Sequence, residues 1–124
     1  MKKILIIQDS PTINMVLKSR LESNGFSVEV SETGEEGAEK AGGDIYDLVL
    51  LDCNLPGISG IEVCRILKKN EKTRNIPVIF LSAEDESKLG EIVKNEGANG
   101  YISFSSLMGG GTLIDKINSF LENQ

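Results

Sequence analysis

The stretch LVLLDCNLPG, residues 48–57, carries four apolar residues, then an aspartate, Asp52, and soon afterwards a Pro-Gly turn. A run of leucine and valine of this length predicts a strand buried on both faces, as in a parallel sheet. A carboxylate at the end of such a strand costs solvation free energy unless its charge is compensated or used. Asp52 is therefore the first candidate for a functional residue.

Four more short apolar runs occur along the chain, with amphipathic helical stretches between them. They are ILII (4–7), FSVEV (26–30), PVIFL (77–81) and GYIS (100–103). FSVEV alternates apolar and polar residues, which predicts a strand nearer an edge of the sheet. Helix starts are predicted at Ser10-Pro11 and at the capping boxes Thr33-x-x-Glu36 and Ser59-x-x-Glu62.

This alternation predicts one α/β domain over residues 1–124, a (βα)5 doubly wound sheet of five parallel strands with helices on both faces. The residues expected to face the core on the first helix are Ile13, Val16, Leu17 and Leu21. The second helix, 33–41, carries little besides Ala38 and Ala41 to bury. The run Gly109-Gly110-Gly111 predicts a loop before the last helix. Because the chain ends with that helix, we expect no output domain.

The composition limits the kinds of partner. The 124 residues carry a net charge of −6, which disfavours direct binding to nucleic acid or to an anionic membrane. The absence of histidine excludes histidine-based acid–base catalysis and histidine metal ligands. The apolar run at 4–7 is too short for a signal peptide or a membrane span, so we expect a cytoplasmic protein.

Polar residues follow the predicted strands at the edge where ligands bind in open α/β sheets. Asp9 follows the first strand, Asp52 and Asn54 follow the third, and Ser82 follows the fourth. Two carboxylates can share this edge if a cation or protons relieve their repulsion, and oxygen ligands of this kind suit Mg²⁺. Asp9 alone is as consistent with helix capping as with metal binding, so the interpretation rests on the combination.

Four segments together resemble the receiver domain of bacterial two-component response regulators, over essentially the whole chain. They are KILIIQDS (3–10), DLVLLDCNLPGISGIEV (47–63), VIFLSAEDE (78–86) and GANGYIS (97–103). In the second segment a proline follows Asp52 by four residues and a glycine follows it by eight. The family fold, a flavodoxin-like (βα)5 sandwich, agrees with the predicted order of elements.

The resemblance implies a role for each residue at the sheet edge. Asp52 would be the phosphoacceptor, and Asp9, Asp52 and the backbone carbonyl of Asn54 would bind Mg²⁺. Ser82 would hydrogen-bond the phosphoryl group, and Tyr101 would be the aromatic switch. The implied partners are a sensor histidine kinase or phosphotransfer protein and a downstream protein at the helix 4–strand 5–helix 5 face. The chain would then be a signalling domain and not an enzyme.

The sequence departs from the family at two positions. The family usually has two adjacent acidic residues after the first strand, and here the first of them is Gln8. We expect this change to weaken Mg²⁺ binding without abolishing it. The family also has a lysine and a proline after the fifth strand, where this chain has Phe104 and Ser105. Phe104 supplies no charge-assisted hydrogen bond; it either covers the site, enlarges an apolar recognition patch, or is a partly buried loop residue.

Two functions therefore stand side by side. One is a phosphorylatable receiver of altered efficiency, which the acceptor and the implied Mg²⁺ ligands favour. The alternative is a pseudo-receiver, an interaction module that works without phosphorylation, which Gln8 and Phe104 favour. A flavodoxin is less well supported because the loop after the first strand lacks a phosphate cradle. An aspartyl phosphatase is less well supported because Asn54 stands where a second acid is needed.

Overall fold

The computed structural model describes residues 1–83, 86–104 and 112–122, and the predicted loop at Gly109-Gly110-Gly111 lies outside them. The strands are Lys3–Ile7 (β1), Ser27–Ser31 (β2), Leu48–Asp52 (β3), Val78–Ser82 (β4) and Gly100–Ser103 (β5). The helices are Pro11–Ser23 (α1), Gly34–Gly43 (α2), Gly60–Lys69 (α3), Glu86–Glu96 (α4) and Thr112–Glu122 (α5).

The strands form one parallel sheet in the order β2-β1-β3-β4-β5. This order confirms the predicted doubly wound (βα)5 fold, and β2 lies at an edge, as its alternating pattern predicted. β5 forms the other edge. β3 lies in the centre between β1 and β4, and all of its residues are buried. In this flavodoxin-like order, successive strands are added on one side of β1 and then, from β3 onwards, on the other side. A ligand crevice forms at this switch point between β1 and β3.

Helices cover both faces of the sheet because successive strand residues point to opposite sides. Ile4 and Ile6 of β1 belong to a first core, which α1 and α5 cover. Leu5 and Ile7 belong to a second core, which α2, α3 and α4 cover. An interior strand must therefore be apolar at every position, which explains the unbroken run in β1 and β3.

Side-chain caps begin three of the helices at the positions that the sequence predicted. The Ser10 hydroxyl accepts a hydrogen bond from the Ile13 N–H at 3.3 Å, ahead of Pro11 in the first turn. The hydroxyls of Thr33 and Ser59 accept from the N–H three residues on, at 3.1 and 3.2 Å. Each cap satisfies a backbone donor that the helix leaves unpaired.

The buried face of α1 differs from the predicted one. Its buried residues are Asn14, Leu17 and Leu21, whereas Val16 is 38% exposed. Residues 14, 17 and 21 share one helix face by their spacing. The Nδ2 of Asn14 donates to the backbone carbonyl of Gln8 at 2.8 Å, while its Oδ1 is buried and accepts no hydrogen bond from the described residues. The prediction for Val16 was wrong because it followed hydrophobicity and did not anticipate a buried, hydrogen-bonded amide.

Helix α2 packs closely on the sheet through small residues. Gly34, Gly37 and Ala41 are its buried residues. A Cβ atom added at Gly37 would lie 2.5 Å from Cδ1 of Ile7, so the helix backbone sits directly on a buried isoleucine of β1. The helix carries few large apolar side chains because only small residues allow its backbone to lie this close to the sheet.

Within the part of the chain that the structure describes, no helix is both long and apolar enough to cross a membrane.

Two glycines of α2 provide a matched test of this packing. Gly37→Ala should lower the free energy of unfolding by about 1–3 kcal/mol, because the new methyl group overpacks against Ile7. Gly42→Ala meets no atom within 4 Å and should raise stability by about 0.5–1 kcal/mol, through the better helix propensity of alanine. Urea unfolding of both variants measures the difference. Equal stability of the two variants would show that the close packing of Gly37 on Ile7 does not limit the size of the side chain there.

Candidate functional site

The candidate site lies where β1, β3 and β4 end, at the crevice of the doubly wound sheet. Asp52 is the last residue of β3 and is in register with Leu81 of β4. Ser82 ends β4, one residue beyond that pair. Gln8 and Asp9 follow β1, on the opposite side of β3 from Ser82. The strand order thus places Asp52 between the side chains that follow its two neighbours.

Asp52 is buried, with 6% of the residue exposed. Its Oδ1 accepts a hydrogen bond from the Asn54 N–H at 3.2 Å. The chain after β3 is held by a bond from the Cys53 N–H to the Leu81 carbonyl at 3.2 Å. Asn54 itself is exposed, so its backbone follows the rim while Asp52 stays in the crevice.

Burial raises the pKa of the Asp52 carboxyl, because removal from water disfavours the charged form. The negative charge of Asp9 acts in the same direction. The N–H groups of Asn54 and Cys53 and the side chain of Gln8 act against this rise in pKa, since donors favour the carboxylate. Burial has the largest effect on this pKa. The fold therefore holds the Asp52 carboxyl in a place where its ionised form is destabilised.

Gly60, the glycine eight residues after Asp52, allows α3 to begin directly against the end of β3. A Cβ atom at this position would lie 1.9 Å from the backbone oxygen of Asp52. The Gly60 N–H instead donates to the Cys53 carbonyl at 3.1 Å. The turn before it contains Gly57 at φ +76°, a conformation that favours glycine. These two glycines fix the backbone on which Asp52 and Asn54 sit.

Gln8 and Asp9 follow β1 but differ in exposure. Asp9 is exposed at the rim, where a solvated cation has access to its carboxylate. Gln8 is 1% exposed, and its Oε1 accepts a hydrogen bond from the Ser10 N–H at 3.0 Å. The Gln8 Nε2 is buried and makes no hydrogen bond to the residues that the structure describes.

Sequence reasoning missed two residues that support Gln8. Asn14 donates to the Gln8 carbonyl at 2.8 Å, and the backbone carbonyl of Ser31 accepts from the Gln8 N–H at 3.0 Å. Both residues are buried. The available signal was the placement of Asn14 on the helix face that also carries Leu17 and Leu21, where an apolar side chain is usual.

Ser82 and Tyr101 lie on the adjacent strands β4 and β5. Ser82 is fully buried at the end of β4. The ring of Tyr101 is half-buried and packs against the second core. Gly90 of α4 leaves room for it, since a Cβ there would lie 4.0 Å from the ring. Lys116 of α5 has its Nζ 5.9 Å from the ring centroid.

Phe104 is partly buried and packs against the first core, on the α1 and α5 side of the sheet. Its ring therefore contributes to the packing beneath the rim. Ser105, the other departure after β5, lies outside the described residues.

Replacement of the buried acid gives a pH-dependent test. Asp52→Asn should raise the free energy of unfolding at neutral pH, because it removes a charge that burial disfavours. The pKa of Asp52 is higher in the folded protein than its ordinary value of 3.8. Its protonated form therefore stabilises the fold fully below pH 3.8, and this stabilisation is lost as the pH rises through the folded-state pKa. The advantage of Asp52→Asn should therefore shrink as pH falls towards 3.8.

Urea unfolding over this pH range provides the measurement. Glu39→Gln, which neutralises an exposed carboxylate on α2, is the matched control and should show no such gain. A variant Asp52→Asn that is less stable than the unmodified protein at neutral pH would contradict the stated electrostatic balance.

Known proteins share the sequence pattern and the fold of this chain. The sequence profile of the family described as "Response regulator receiver domain" matches residues 4–105. The chain is 35% identical over 102 residues to response regulator ArlR of Staphylococcus saprophyticus, covering 82% of this chain and 45% of that protein. It is 35% identical over 121 residues to Protein PilH of Pseudomonas aeruginosa, covering 98% of each. The chain thus spans less than half of the first relative and nearly all of the second.

A solved structure gives the same result. The response regulator protein TrrA of Thermotoga maritima, in complex with Mg(2+)-BeF, has a TM-score of 0.84 and 32% identity, covering 97% of this chain and 99% of that one. The profile match includes the ends of β1, β3 and β4, where the candidate site lies. The chain therefore belongs to the response regulator receiver domain family.

Proposed function

We propose that this receiver domain accepts a phosphoryl group on Asp52 and signals its phosphorylation to a partner protein in the cytoplasm. The observation that carries the proposal is the placement of Asp52, which a buried strand delivers to the sheet edge between Asp9 and Ser82. The family supports a sensor histidine kinase or a phosphotransfer protein as the donor. In this role the chain is a phosphoryl acceptor and not an enzyme with a substrate of its own.

The transfer is a displacement at phosphorus. One oxygen of the ionised Asp52 carboxylate attacks the phosphorus atom and forms an O–P bond. The bond between phosphorus and the donor's leaving atom breaks, and the leaving group keeps that electron pair. The attack requires the carboxylate form, which the Asn54 N–H stabilises at 3.2 Å from Oδ1. Positioning and charge stabilisation are therefore the main tasks of the surrounding residues.

Mg²⁺ fits the oxygen atoms at this edge. The proposed donors are two carboxylates and one backbone carbonyl; in the described ranges no cluster of three or more His, Cys, Asp or Glu side chains could hold a metal. Mg²⁺ commonly takes one or two carboxylates and completes its shell with water and phosphate oxygens. Asp9, Asp52 and the Asn54 carbonyl would hold it, and the ion would neutralise charge on the phosphoryl oxygens. The Mg(2+)-BeF complex of the Thermotoga protein supports this assignment.

Two uncharged side chains set the efficiency of the reaction. Gln8 replaces an acid near the proposed metal, which removes one attractive charge and also one source of repulsion for Asp52. Phe104 replaces the lysine that the resemblance implies and packs against the first core. A phenyl ring has no donor group, so this residue gives no charge-assisted hydrogen bond to the phosphoryl group. We expect weaker Mg²⁺ binding and an altered switch, while the acceptor itself is retained.

The signal would pass from the phosphoryl group through Ser82 to Tyr101 on the next strand. Ser82 is buried beside the acceptor strand, and β4 pairs directly with β5. The Tyr101 ring lies between α4 and α5, near Gly90 and Lys116. A shift of the ring would change the surface that α4, β5 and α5 form, and we place the downstream partner there.

A pseudo-receiver is the second candidate, and a specific observation favours it. Gln8 is buried and uncharged at the end of β1, and Phe104 lies in the core packing. The chain thus lacks the acid and the lysine that the family resemblance implies at these two positions. A domain without them would bind its partner through the same α4, β5 and α5 surface in a single state, with no phosphorylation step.

Incubation with Mg²⁺ and acetyl phosphate, followed by intact-mass measurement, tests the proposed function. We expect a mass gain of one phosphoryl group in the unmodified protein and no gain in Asp52→Asn. Calorimetry should show saturable Mg²⁺ binding that weakens in Asp9→Asn, because that variant loses a carboxylate ligand. The chain has no tryptophan, so calorimetry replaces fluorescence quenching.

The control and the contrary result are distinct. Glu39→Gln changes an exposed carboxylate away from the site and should gain the phosphoryl group as the unmodified protein does. Phe104→Lys should raise the rate of uptake by adding a cation after β5. No uptake by the unmodified protein together with uptake by Phe104→Lys would overturn the proposal in favour of the pseudo-receiver.

A further inference from the structure

The Gln8 side chain is buried at the end of β1, and its NH₂ group has no role in the proposed reaction. Gln8 is 1% exposed. Its backbone N–H donates to the Ser31 carbonyl at 3.0 Å, and its backbone carbonyl accepts from Asn14 at 2.8 Å. These two bonds fix the main chain, so the side chain starts from a rigid point at the end of β1.

The orientation of the Gln8 amide is determined by Ser10. The Ser10 N–H donates to Oε1 at 3.0 Å. The opposite orientation would set the NH₂ group against another donor, which is unfavourable, so the oxygen must face Ser10 and the NH₂ group must face away. The NH₂ group is buried there and makes no hydrogen bond to the described residues. A buried donor without an acceptor is rare in folded proteins and calls for an explanation.

The register of the sheet brings the Asp52 carboxylate forward as the acceptor for this donor. Ile7 of β1 pairs with Leu51 of β3, so Gln8 and Asp52 are the next residues along neighbouring strands, and both are buried. In the same direction, the Gln8 side chain acts to lower the pKa of the Asp52 carboxyl, against the effect of burial. In this state Nε2 makes no hydrogen bond to the Asp52 carboxylate or to any other described residue. Hydrogen bonds of this kind are often long in the unliganded form and shorten when the reacting group is in place. Asn54 already donates to Oδ1, so a second donor would restrict rotation of the carboxylate.

We infer that Gln8 is a positioning residue, whose amide NH₂ group donates to the Asp52 carboxylate and orients it for reaction at the rim. The functional part of this inference rests on the proposed phosphorylation of Asp52, whereas the hydrogen bond itself does not. The uncharged amide would supply a hydrogen bond to the carboxylate, as a lysine or arginine side chain does in other proteins. This hydrogen bond is weaker than one from a cation. Asp9 and the Asn54 carbonyl would remain available to the metal.

Selective isotope labelling tests the hydrogen bond directly. The sequence has two glutamines, Gln8 and Gln124, so ¹⁵N-glutamine labelling gives two pairs of side-chain NH₂ signals. Gln8→Glu removes one pair and thereby assigns it. We expect the Gln8 pair to exchange slowly with water in the unmodified protein. In Asp52→Ala the pair should shift and exchange faster, while the Gln124 pair stays in place.

Asp9→Ala is the matched control, because it removes the carboxylate that follows β1 and keeps Asp52. In this variant the Gln8 NH₂ signals should still exchange slowly with water. A merely structural role for Gln8 predicts the same signals with and without the Asp52 carboxylate. Unchanged Gln8 signals in Asp52→Ala and in Asp52→Asn would overturn the inference. This result is independent of whether the protein takes up phosphate, so it is separate from the test of the proposed function.

The kinetic consequence is measured with Gln8→Leu, which removes the donor and keeps an apolar side chain of similar size. With acetyl phosphate and saturating Mg²⁺, the rate of phosphoryl uptake should fall about tenfold or more, as expected for losing a hydrogen bond to a charged group. Gln8→Glu should bind Mg²⁺ more tightly by calorimetry and yet be slower per bound metal, because it replaces the donor with a second acceptor. A faster uptake in both variants would contradict a positioning role.

Discussion

The pairing of β3 between β1 and β4 is the constraint on which the candidate site depends. A central parallel strand is covered on both faces, so it must be apolar until the point where it leaves the sheet. In this chain that point is Asp52, which is still in register with Leu81 of β4. The residues that follow the two neighbouring strands then lie on either side of its carboxylate. Gly60 allows the start of α3 to lie directly against the backbone of Asp52.

The electrostatics of the site follow from this burial. A carboxylate that is removed from water has a raised pKa, and the nearby charge of Asp9 adds to the effect. The groups that oppose the rise are uncharged donors, namely the N–H groups of Asn54 and Cys53 and the amide of Gln8. The chain therefore compensates the buried charge with dipoles, and a bound cation would complete that compensation. Phe104 contributes to packing instead, within the first core.

Much of the fold could be predicted because its signals are local. Five apolar runs gave the strands, alternation in FSVEV gave the edge strand β2, and hydroxyl caps gave the starts of α1, α2 and α3. The buried face of α1 could not be predicted in full. Asn14 is buried in place of Val16 because of a hydrogen bond to the backbone of Gln8, six residues away, which periodicity does not report. The close packing of α2 on Ile7 likewise depends on a contact between distant segments.

The sequence by itself determined the order of the elements, the apolar character of the central strands and the residue types that follow each strand. These properties depend on side-chain chemistry and on spacings of a few residues. The tertiary structure alone decided which of those residues are buried, which backbone donor reaches Asp52, and that Phe104 packs against the first core while the Gln8 carboxamide is enclosed at the end of β1. The reason is that burial and hydrogen bonding join groups from β1, α1, β3 and β5, and their distances are fixed only when the sheet and its helices are assembled.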